Sequence, residues 1–180
     1  MNRPLGETAV KRLNREWRHR TEGRLALLLD DVQTPFNVGA IVRTAAAERV
    51  EHLYLAGTTD TPTHPKARKL SMGTDRYLEW TSHATGVDAI AAARADGHRV
   101  VAIELSDGAL PLHEVDLRGD VCLVIGHEDR GVSAAVLGAC DVTGFIPQLG
   151  RVGSLNVAHA AAIAIYEARR QAWTAAPAPT

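Results

Sequence analysis

Residues 25–46 read "LALLLDDVQTPFNVGAIVRTAA", a stretch that passes from a strand pattern through a polar loop into a helix pattern. Its first five residues form a continuous apolar run bounded by polar residues, which is typical of a strand buried on both faces. Similar runs recur at 52–56, 100–104, 121–125 and 143–146, and helical spacing appears at 37–49, 87–96, 133–139 and 155–171. Strand and helix patterns therefore alternate, which predicts an α/β fold whose parallel sheet carries helices on both faces.

Length and composition favour one compact domain. The chain has 180 residues, of which 46% are apolar and 23% charged, a balance typical of folded globular proteins. Its apolar runs fall far short of the roughly 20 residues that cross a bilayer, and the polar N-terminus has no signal-peptide core. We expect a cytoplasmic protein without a membrane partner, divided into a basic N-terminal extension (1–24), a main domain (25–172) and a flexible tail (173–180).

Residue types that bind metal ions show no clustering in the sequence. Cys122 and Cys140 lack metal-ligand spacing, and the eight histidines are scattered singly. Asp30 and Asp31 directly follow the first predicted strand, where capping and turn formation are the usual roles of Asp. We therefore predict no metal site.

Signatures of several enzyme classes are missing from the loops after the strands, where α/β folds bind their ligands. No G-x-G-x-x-G follows a strand, and "GHEDRG" at 126–131 is followed by Val132 where a phosphate-binding P-loop needs Lys. Neither H-E-x-x-H nor G-x-S-x-G occurs. Phosphoryl transfer, metal catalysis and acyl transfer are disfavoured, and a nucleotide-binding oxidoreductase remains as an alternative without its fingerprint.

Three polar clusters remain, and the first follows the opening strand. Asn37 can cap the helix after it, and Gly39 lets the backbone turn closely. Arg43 is a lone charge among apolar neighbours, and charges in such places are normally paired or functional.

The other two clusters also follow predicted strands. Glu128 lies between two glycines in the turn after 121–125. The stretch "GRVGSLNV" at 150–157 places Ser154 and Asn156 directly before an alanine-rich helix, where both residue types can act as caps.

In this order, the three clusters resemble the SpoU (TrmH-like) family of the SPOUT RNA methyltransferases. The pattern N-x-G-A-x-x-R-T-A runs from Asn37 to Ala45, G-x-E-x-x-G-V-S from Gly126 to Ser133, and P-Q-x-G-x-x-x-S-L-N-V from Pro147 to Val157. The resemblance covers about residues 24–172, and three motifs at family-like spacing are far more specific than one. His127 departs from it, because the family often carries a small or amide residue there.

The resemblance implies that the C-terminal segment threads a deep trefoil knot, that S-adenosylmethionine binds in the knotted loops, and that a homodimer carries out catalysis. It implies donor-binding roles at six positions, which are Glu104, Leu105, Gly126, Ile146, Ser154 and Leu155. This donor carries no phosphate, which agrees with the missing glycine fingerprint.

The implied reaction is methyl transfer to a ribose 2′-hydroxyl of RNA, a weak nucleophile that must be oriented and deprotonated. The resemblance makes Arg43 the catalytic candidate, either as a general base or, since arginine normally stays protonated, through its planar fork on phosphate and ribose. It implies that Asn37 and Glu128 position Arg43 or the ribose, and that Ser154 and Asn156 complete the catalytic site. A catalytically inactive RNA-binding protein with the same fold is an alternative.

Charge is unevenly distributed along the chain, although the net charge is only -1. Residues 1–24 hold seven Lys and Arg against three Glu, which suits either a solvated helix or an RNA contact. Val10, Leu13 and Trp17 follow helical spacing, so we expect them to pack on the body of the protein. The candidates for phosphate contacts are then Lys11, Arg12, Arg15 and Arg18, followed by Lys66, Arg68 and Lys69 of "KARK". We favour transfer RNA over ribosomal RNA as the partner.

Overall fold

The computed structural model describes residues 3–175, which form one seven-stranded sheet flanked by helices. The strands are β1 (Leu25–Asp30), β2 (His52–Ala56), β3 (Glu79–His83), β4 (Arg99–Ile103), β5 (Leu110–Pro111), β6 (Val121–Ile125) and β7 (Val142–Phe145). The helices are α1 (Glu7–His19), α2 (Pro35–Ala47), α3 (Pro65–Ser71), α4 (Gly86–Ala95), α5 (Ala134–Ala139) and α6 (Val157–Ala175).

All strand pairs are parallel, and the strand order is β3-β2-β1-β6-β4-β7-β5. The register places Leu27 of β1 between Leu53 of β2 and Leu123 of β6. The chain first adds strands on one side of β1 and then continues on the other side. Ligands of such sheets bind beyond the carboxyl ends of the strands, where this reversal occurs.

Two apolar cores cover the two faces of the sheet. Leu27 and Leu29 of β1 belong to the core shared with α2 and α6, whereas Leu28 belongs to the core shared with α4 and α5. Burial of each such leucine stabilises the fold by about 1.5–3 kcal/mol. The predicted α/β architecture with helices on both faces is therefore confirmed.

Predicted strands match β2 and β6 in both bounds and β1, β4 and β7 within one residue, but β3, the two-residue strand β5 and helix α3 were not predicted. Strand β3 has the sequence "EWTSH" with no buried residue, so it lacks the apolar run of a central strand. Helix α3 is only seven residues long and begins at Pro65. In the part of the chain that the structure describes, no helix is long and apolar enough to cross a membrane.

Both terminal segments differ from expectation. Helix α6 continues to Ala175, so the predicted flexible tail does not begin at 173, and residues 176–180 lie outside the described part. Helix α1 forms as expected, but Val10, Leu13 and Trp17 remain 38–40% exposed. Within the described chain, the ring of Trp17 contacts the ring of Trp173, with 5.0 Å between the ring centroids. The prediction that all three side chains pack on the body of the protein is therefore wrong for a single chain.

Candidate functional site

A cleft of about 410 Å³ opens at the carboxyl edge of the sheet, within the range of small-molecule sites. The residues after β4, β6 and β7 and the first turn of α6 form its walls. All six positions predicted to bind the donor line this cleft, which are Glu104, Leu105, Gly126, Ile146, Ser154 and Leu155. Residues more than 40 positions apart in the sequence thus meet where the parallel strands end.

The lining combines apolar side chains with carboxylates. Ile103, Ile125 and Phe145 supply apolar surface, while Glu104 and Glu128 supply carboxylate oxygens. Such a lining suits a flat heteroaromatic group joined to a cation. The methyl donor implied by the sequence carries an adenine and a sulfonium, so the residues present fit it.

The loop between β6 and α5 is tightly closed on itself. The backbone nitrogen and oxygen of His127 pair with those of Gly131, both at 2.9 Å. A Cβ built on Gly126 would lie 2.2 Å from the backbone of Gly131, so no side chain fits there. Gly131 has a positive φ of 66°, which glycine adopts at low cost. His127 Nδ1 also accepts from the amide of Asp129 at 2.9 Å, which gives His127 a role in shaping the loop.

Glu128 lies at the cleft and ties its loop to the start of helix α2. Its carboxylate accepts from the amides of Gln33 (3.2 Å) and Thr34 (2.9 Å) and from Nδ2 of Asn37 (3.0 Å). Burial raises the pKa of Glu128, but the hydrogen bonds from Asn37 and from backbone amides outweigh burial and lower it to about 2. The side chain is therefore an anion at neutral pH.

Asn37 continues this network to the last helix. Its Oδ1 accepts from Nδ2 of Asn156 at 3.1 Å, and Oδ1 of Asn156 accepts from the amides of Ala158 (3.0 Å) and His159 (3.4 Å). Asn156 thus caps α6, as predicted. Helix α2 begins at Pro35, so Asn37 lies within the helix and the prediction that it caps α2 is wrong.

Ser154 differs from Asn156 in its surroundings. It is exposed, lines the cleft, and makes no side-chain hydrogen bond within residues 3–175. The structure therefore does not support a capping role for Ser154.

Arg43 stands apart from the network. It is exposed, lies six residues or nearly two turns after Asn37, about 9 Å along the helix axis, and has no hydrogen bond or ion pair among the described residues. It is also not among the cleft-lining residues. In one chain, Asn37 and Glu128 hold each other and do not contact Arg43.

Gly39 serves helix packing rather than a turn. A Cβ on this residue would lie 2.3 Å from the backbone oxygen of Ala67, so the glycine allows α2 and α3 to approach closely. Arg43 is four residues further along and lies on the same side of α2. The close packing of α2 and α3 therefore brings α3, which carries "KARK", towards the side of α2 that carries Arg43.

The basic side chains predicted to meet RNA are all exposed, namely Lys11, Arg12, Arg15 and Arg18 on α1 and Lys66, Arg68 and Lys69 on α3. Arg68 pairs with Asp75 at 3.4 Å. Neither Lys66 nor Lys69 has a carboxylate partner in the described chain, so both charges face solvent.

The remaining carboxylates and thiols have structural surroundings. Asp30 Oδ2 accepts from the amide of Ser133 at the start of α5 (3.1 Å), and Asp31 accepts from Thr58 in a neighbouring loop (2.8 Å). Cys122 is buried, and burial raises the pKa of its thiol. Among residues 3–175, no group of three His, Cys, Asp or Glu could hold a metal ion.

The sequence did not point to the amides of Gln33 and Thr34, which bind Glu128. One signal was available, because Pro35 marks the start of a helix, and amides at a helix N-terminus have no acceptor within the helix and are free for another partner. Pairing across more than 90 residues is a product of the sheet order, which places β6 beside β1.

Comparison with known proteins identifies a family and its relatives. The SpoU rRNA Methylase family matches residues 24–166. A tRNA (guanosine(18)-2'-O)-methyltransferase of Escherichia coli K12 is 32% identical over 157 residues, which cover 84% of this chain and 66% of the relative. A 23S rRNA (guanosine-2'-O-)-methyltransferase of Acinetobacter baylyi is 36% identical over 148 residues, which cover 82% and 60%.

A solved structure shows the same architecture. The SpoU methyltransferase AviRb from Streptomyces viridochromogenes, in complex with the cofactor AdoMet, is similar with a TM-score of 0.74 and 33% identity. The similarity covers 83% of this chain and 58% of that chain. This chain therefore spans less than two thirds of the length of these relatives.

Proposed function

The chain belongs to the SpoU rRNA methylase family, and we propose that it is an S-adenosylmethionine-dependent RNA 2′-O-ribose methyltransferase. The network of Glu128, Asn37 and Asn156 at the mouth of the cleft carries this proposal. It joins three distant motifs into one ionised, hydrogen-bonded group beside a cleft of suitable size and lining. A nucleotide-binding oxidoreductase would not require these motifs and would need the phosphate fingerprint that the sequence lacks.

The cleft residues hold the donor. Ile146 and Leu155 offer apolar contacts, and the backbone after β4 and at Gly126 offers hydrogen bonds for a heteroaromatic ring. When bound, S-adenosylmethionine supplies an electrophilic methyl group and keeps the electron pair of the broken carbon–sulfur bond. The protein orients the donor and excludes water from its methyl group.

The acceptor ribose of the RNA binds beside the cleft, near Arg43 and the network of Glu128, Asn37 and Asn156. Its 2′-oxygen gains the methyl group and loses a proton, so a neighbouring group or solvent must take that proton. Arg43 is exposed and unpaired in the described chain, which leaves its planar fork available to an RNA phosphate and ribose. Asn37 and Glu128 orient the ribose, and Ser154 and Asn156 complete the pocket.

The proposed substrate is transfer RNA, with ribosomal RNA as the second candidate. The two relatives described above are named for methylation of a tRNA guanosine and of a 23S rRNA guanosine, respectively. The basic side chains of α1 and α3 would contact phosphates and position the RNA. From this proposed substrate we infer a cytoplasmic protein.

We further infer a homodimer whose subunits pack through α2 and α6. Phe36, Ile163 and Tyr166 on these helices are 42–56% exposed, although they are large apolar side chains. Arg43 lies outside the cleft of its own chain, so a second subunit would allow it to serve the neighbouring cleft. Sedimentation should show a dimer at micromolar protein, and a strict monomer with full activity would contradict the inference.

The trefoil knot is also a proposal, based on family membership. The loops after β6 and β7 both line the cleft, and α6 returns to pack on α2 next to the first strands. Stretching the chain by its ends in optical tweezers should leave a contour shorter than that of a fully extended chain. A full-length contour would show that no knot is present.

Methyl transfer to RNA tests the function directly. The chain is incubated with labelled S-adenosylmethionine and total tRNA or rRNA, and 2′-O-methyl nucleosides are measured by mass spectrometry. Arg43→Ala should lose activity, and Arg118→Ala, an exposed arginine paired with Asp116, is the matched control. RNA binding without methylation would identify an inactive RNA-binding protein instead, and the sites missing in cells that lack the gene would identify the target.

A further inference from the structure

A short 3-10 turn (Thr74–Tyr77) follows helix α3 and ends in an aromatic side chain that the fold does not bury. Tyr77 is 65% exposed, whereas the next residue, Leu78, is buried in the core shared with α2 and α6. Burial of Leu78 fixes the end of the turn and leaves the ring of Tyr77 outside the core. No other aromatic ring among residues 3–175 packs on Tyr77.

Two polar contacts hold this turn against α3. The hydroxyl of Thr74 donates to the backbone oxygen of Ser71 at 2.8 Å, and Asp75 forms an ion pair with Arg68 of α3 at 3.4 Å. The position of the turn is therefore fixed relative to the helix that carries "KARK".

Arg76 orients the ring of Tyr77. Its guanidinium lies over the ring, with Cζ 4.8 Å from the ring centroid, and its Nη2 donates to the hydroxyl oxygen of Tyr77 at 2.9 Å. Because the side chain is still 65% exposed, the guanidinium does not cover both faces of the ring. An ordered aromatic ring with an uncovered face can stack on another planar group.

Positive charge surrounds the exposed ring. Residues 65–77 hold four Lys and Arg against one carboxylate, Asp75, which already pairs with Arg68. Lys66 and Lys69 are exposed and have no carboxylate partner in the described chain. Such a surface attracts a polyanion, and a polyanion that also carries planar groups able to stack is a nucleic acid with unpaired bases.

We propose that Tyr77 stacks on an unpaired base of the RNA substrate, next to phosphates that contact Lys66 and Lys69. The inference rests on the proposed function. Both α3 and the turn pack on α2, the helix that carries Arg43, so the ring lies on the flank where the acceptor is proposed to bind. Bases inside a duplex are already stacked on both faces, so only an unpaired base can use this ring, and the protein should prefer RNA that offers one.

Fluorescence anisotropy of labelled RNA tests this role without any measurement of activity. The probes are a single-stranded RNA of mixed sequence and a duplex of the same length. Tyr77→Ala should weaken binding of the single strand by about 5- to 150-fold, the usual contribution of one stacked base, and should change binding of the duplex by less than about twofold. The slope of log affinity against log salt should stay as in the wild type, because the lost side chain carries no charge.

Three further variants separate stacking from other roles of the side chain. Tyr77→Phe keeps the ring and should bind the single strand within about threefold of the wild type, although it loses the hydrogen bond from Arg76. Tyr77→Leu keeps an apolar side chain without a ring and should bind as poorly as Tyr77→Ala. Leu70→Ala, at an exposed apolar side chain of α3, is the matched control and should bind as the wild type does.

Four results would overturn the inference. They are an unchanged affinity of Tyr77→Ala for the single strand, equal losses for single strand and duplex, wild-type binding by Tyr77→Leu, and a loss of self-association in sedimentation with RNA affinity intact. The last result would mean that the ring contacts another protein subunit. Failure of the proposed function is distinct, since the wild type would then methylate no RNA, whereas methylation by the wild type together with any of these four results would overturn the stacking role alone.

Discussion

The proposed donor side, which is the cleft, and the proposed acceptor side, which holds Arg43 and helix α1, differ in how completely one chain builds them. On the donor side, backbone amides and carboxylates pair with one another, and Gly126 leaves no room for a side chain. On the acceptor side, Arg43 is exposed and unpaired within residues 3–175, and helix α1 of the described chain buries no residue. A preorganised cleft suits a small ligand, whereas solvated charges suit a macromolecule that arrives with its own phosphates.

Arg43 gives the sharpest test of this division. Arg43→Ala should lower methyl transfer by about 10²–10⁴-fold, the usual contribution of a group that assists proton transfer or orients the acceptor. Donor affinity should stay within a few-fold, because Arg43 does not line the cleft. Arg43→Lys should also be poor, since an ammonium cannot reproduce the guanidinium fork. Single-turnover rates and donor titration measure both, and wild-type turnover in either variant rules out the assignment.

Helix α1 tests the acceptor side through salt. Each phosphate contact of single-stranded nucleic acid contributes a slope of about -0.7 to log affinity against log salt. Changing Lys11, Arg12, Arg15 and Arg18 to Gln should therefore flatten the slope by about two to three units if most of them bind phosphates, a loss of about 100-fold or more at 0.1 M salt relative to 1 M.

Donor affinity provides the internal control for the α1 variant and should not change. If affinity and slope for tRNA both stay as in the wild type, α1 is only a solvated helix. RNA recognition would then fall to α3, and Lys66→Gln with Lys69→Gln should reproduce the flattened slope.

A methyl group added to the β6 loop tests the donor side. In Gly126→Ala, the new Cβ would meet the backbone of Gly131 at 2.2 Å, so the loop must shift. Overpacking of this kind costs about 1–3 kcal/mol, and donor affinity should fall by roughly 5- to 150-fold if that cost falls on the bound form. Gly138→Ala has no atom within 4 Å of its new Cβ and should bind the donor normally. Equal affinities for the two variants would show that the loop is pliable.

The sequence predicted which residues line the cleft better than it predicted the surroundings of Arg43 and of helix α1, for a physical reason. Continuous apolar runs identified the central strands, and polar residues at their ends identified the cleft, because parallel strands end at one edge. Edge strand β3 escaped detection, since its side chains are largely solvated and carry no apolar run.

Roles that depend on distant contacts were harder to predict. Asn37 has the chemistry of a cap, but its partners are Glu128 and Asn156, more than 90 residues away. Gly39 was expected in a turn, whereas its lack of a Cβ serves the crossing of α2 and α3. The apolar stripe of α1 was expected to be packed, and its exposure in one chain leaves it available to another surface.

The smallest expected effect concerns the stability that Glu128 provides where the two sides meet. Its pKa is lowered from an ordinary value of 4.5 to about 2, because its hydrogen bonds to Asn37 and to backbone amides outweigh burial. A carboxylate with a lowered folded-state pKa contributes stability above the unfolded pKa, and this contribution disappears as pH falls from about 4.5 towards 2.

Glu128→Gln keeps the size but not the charge, and its amide nitrogen cannot accept from Thr34 or Asn37. The free energy of unfolding in urea should therefore be lower for the variant at pH 7 and 5, and the difference should shrink between pH 4.5 and the acid limit of folding. A difference that is constant down to pH 3 would show that the carboxylate is no better stabilised in the folded chain than in the unfolded one, and that the two sides are joined by shape and not by this charge.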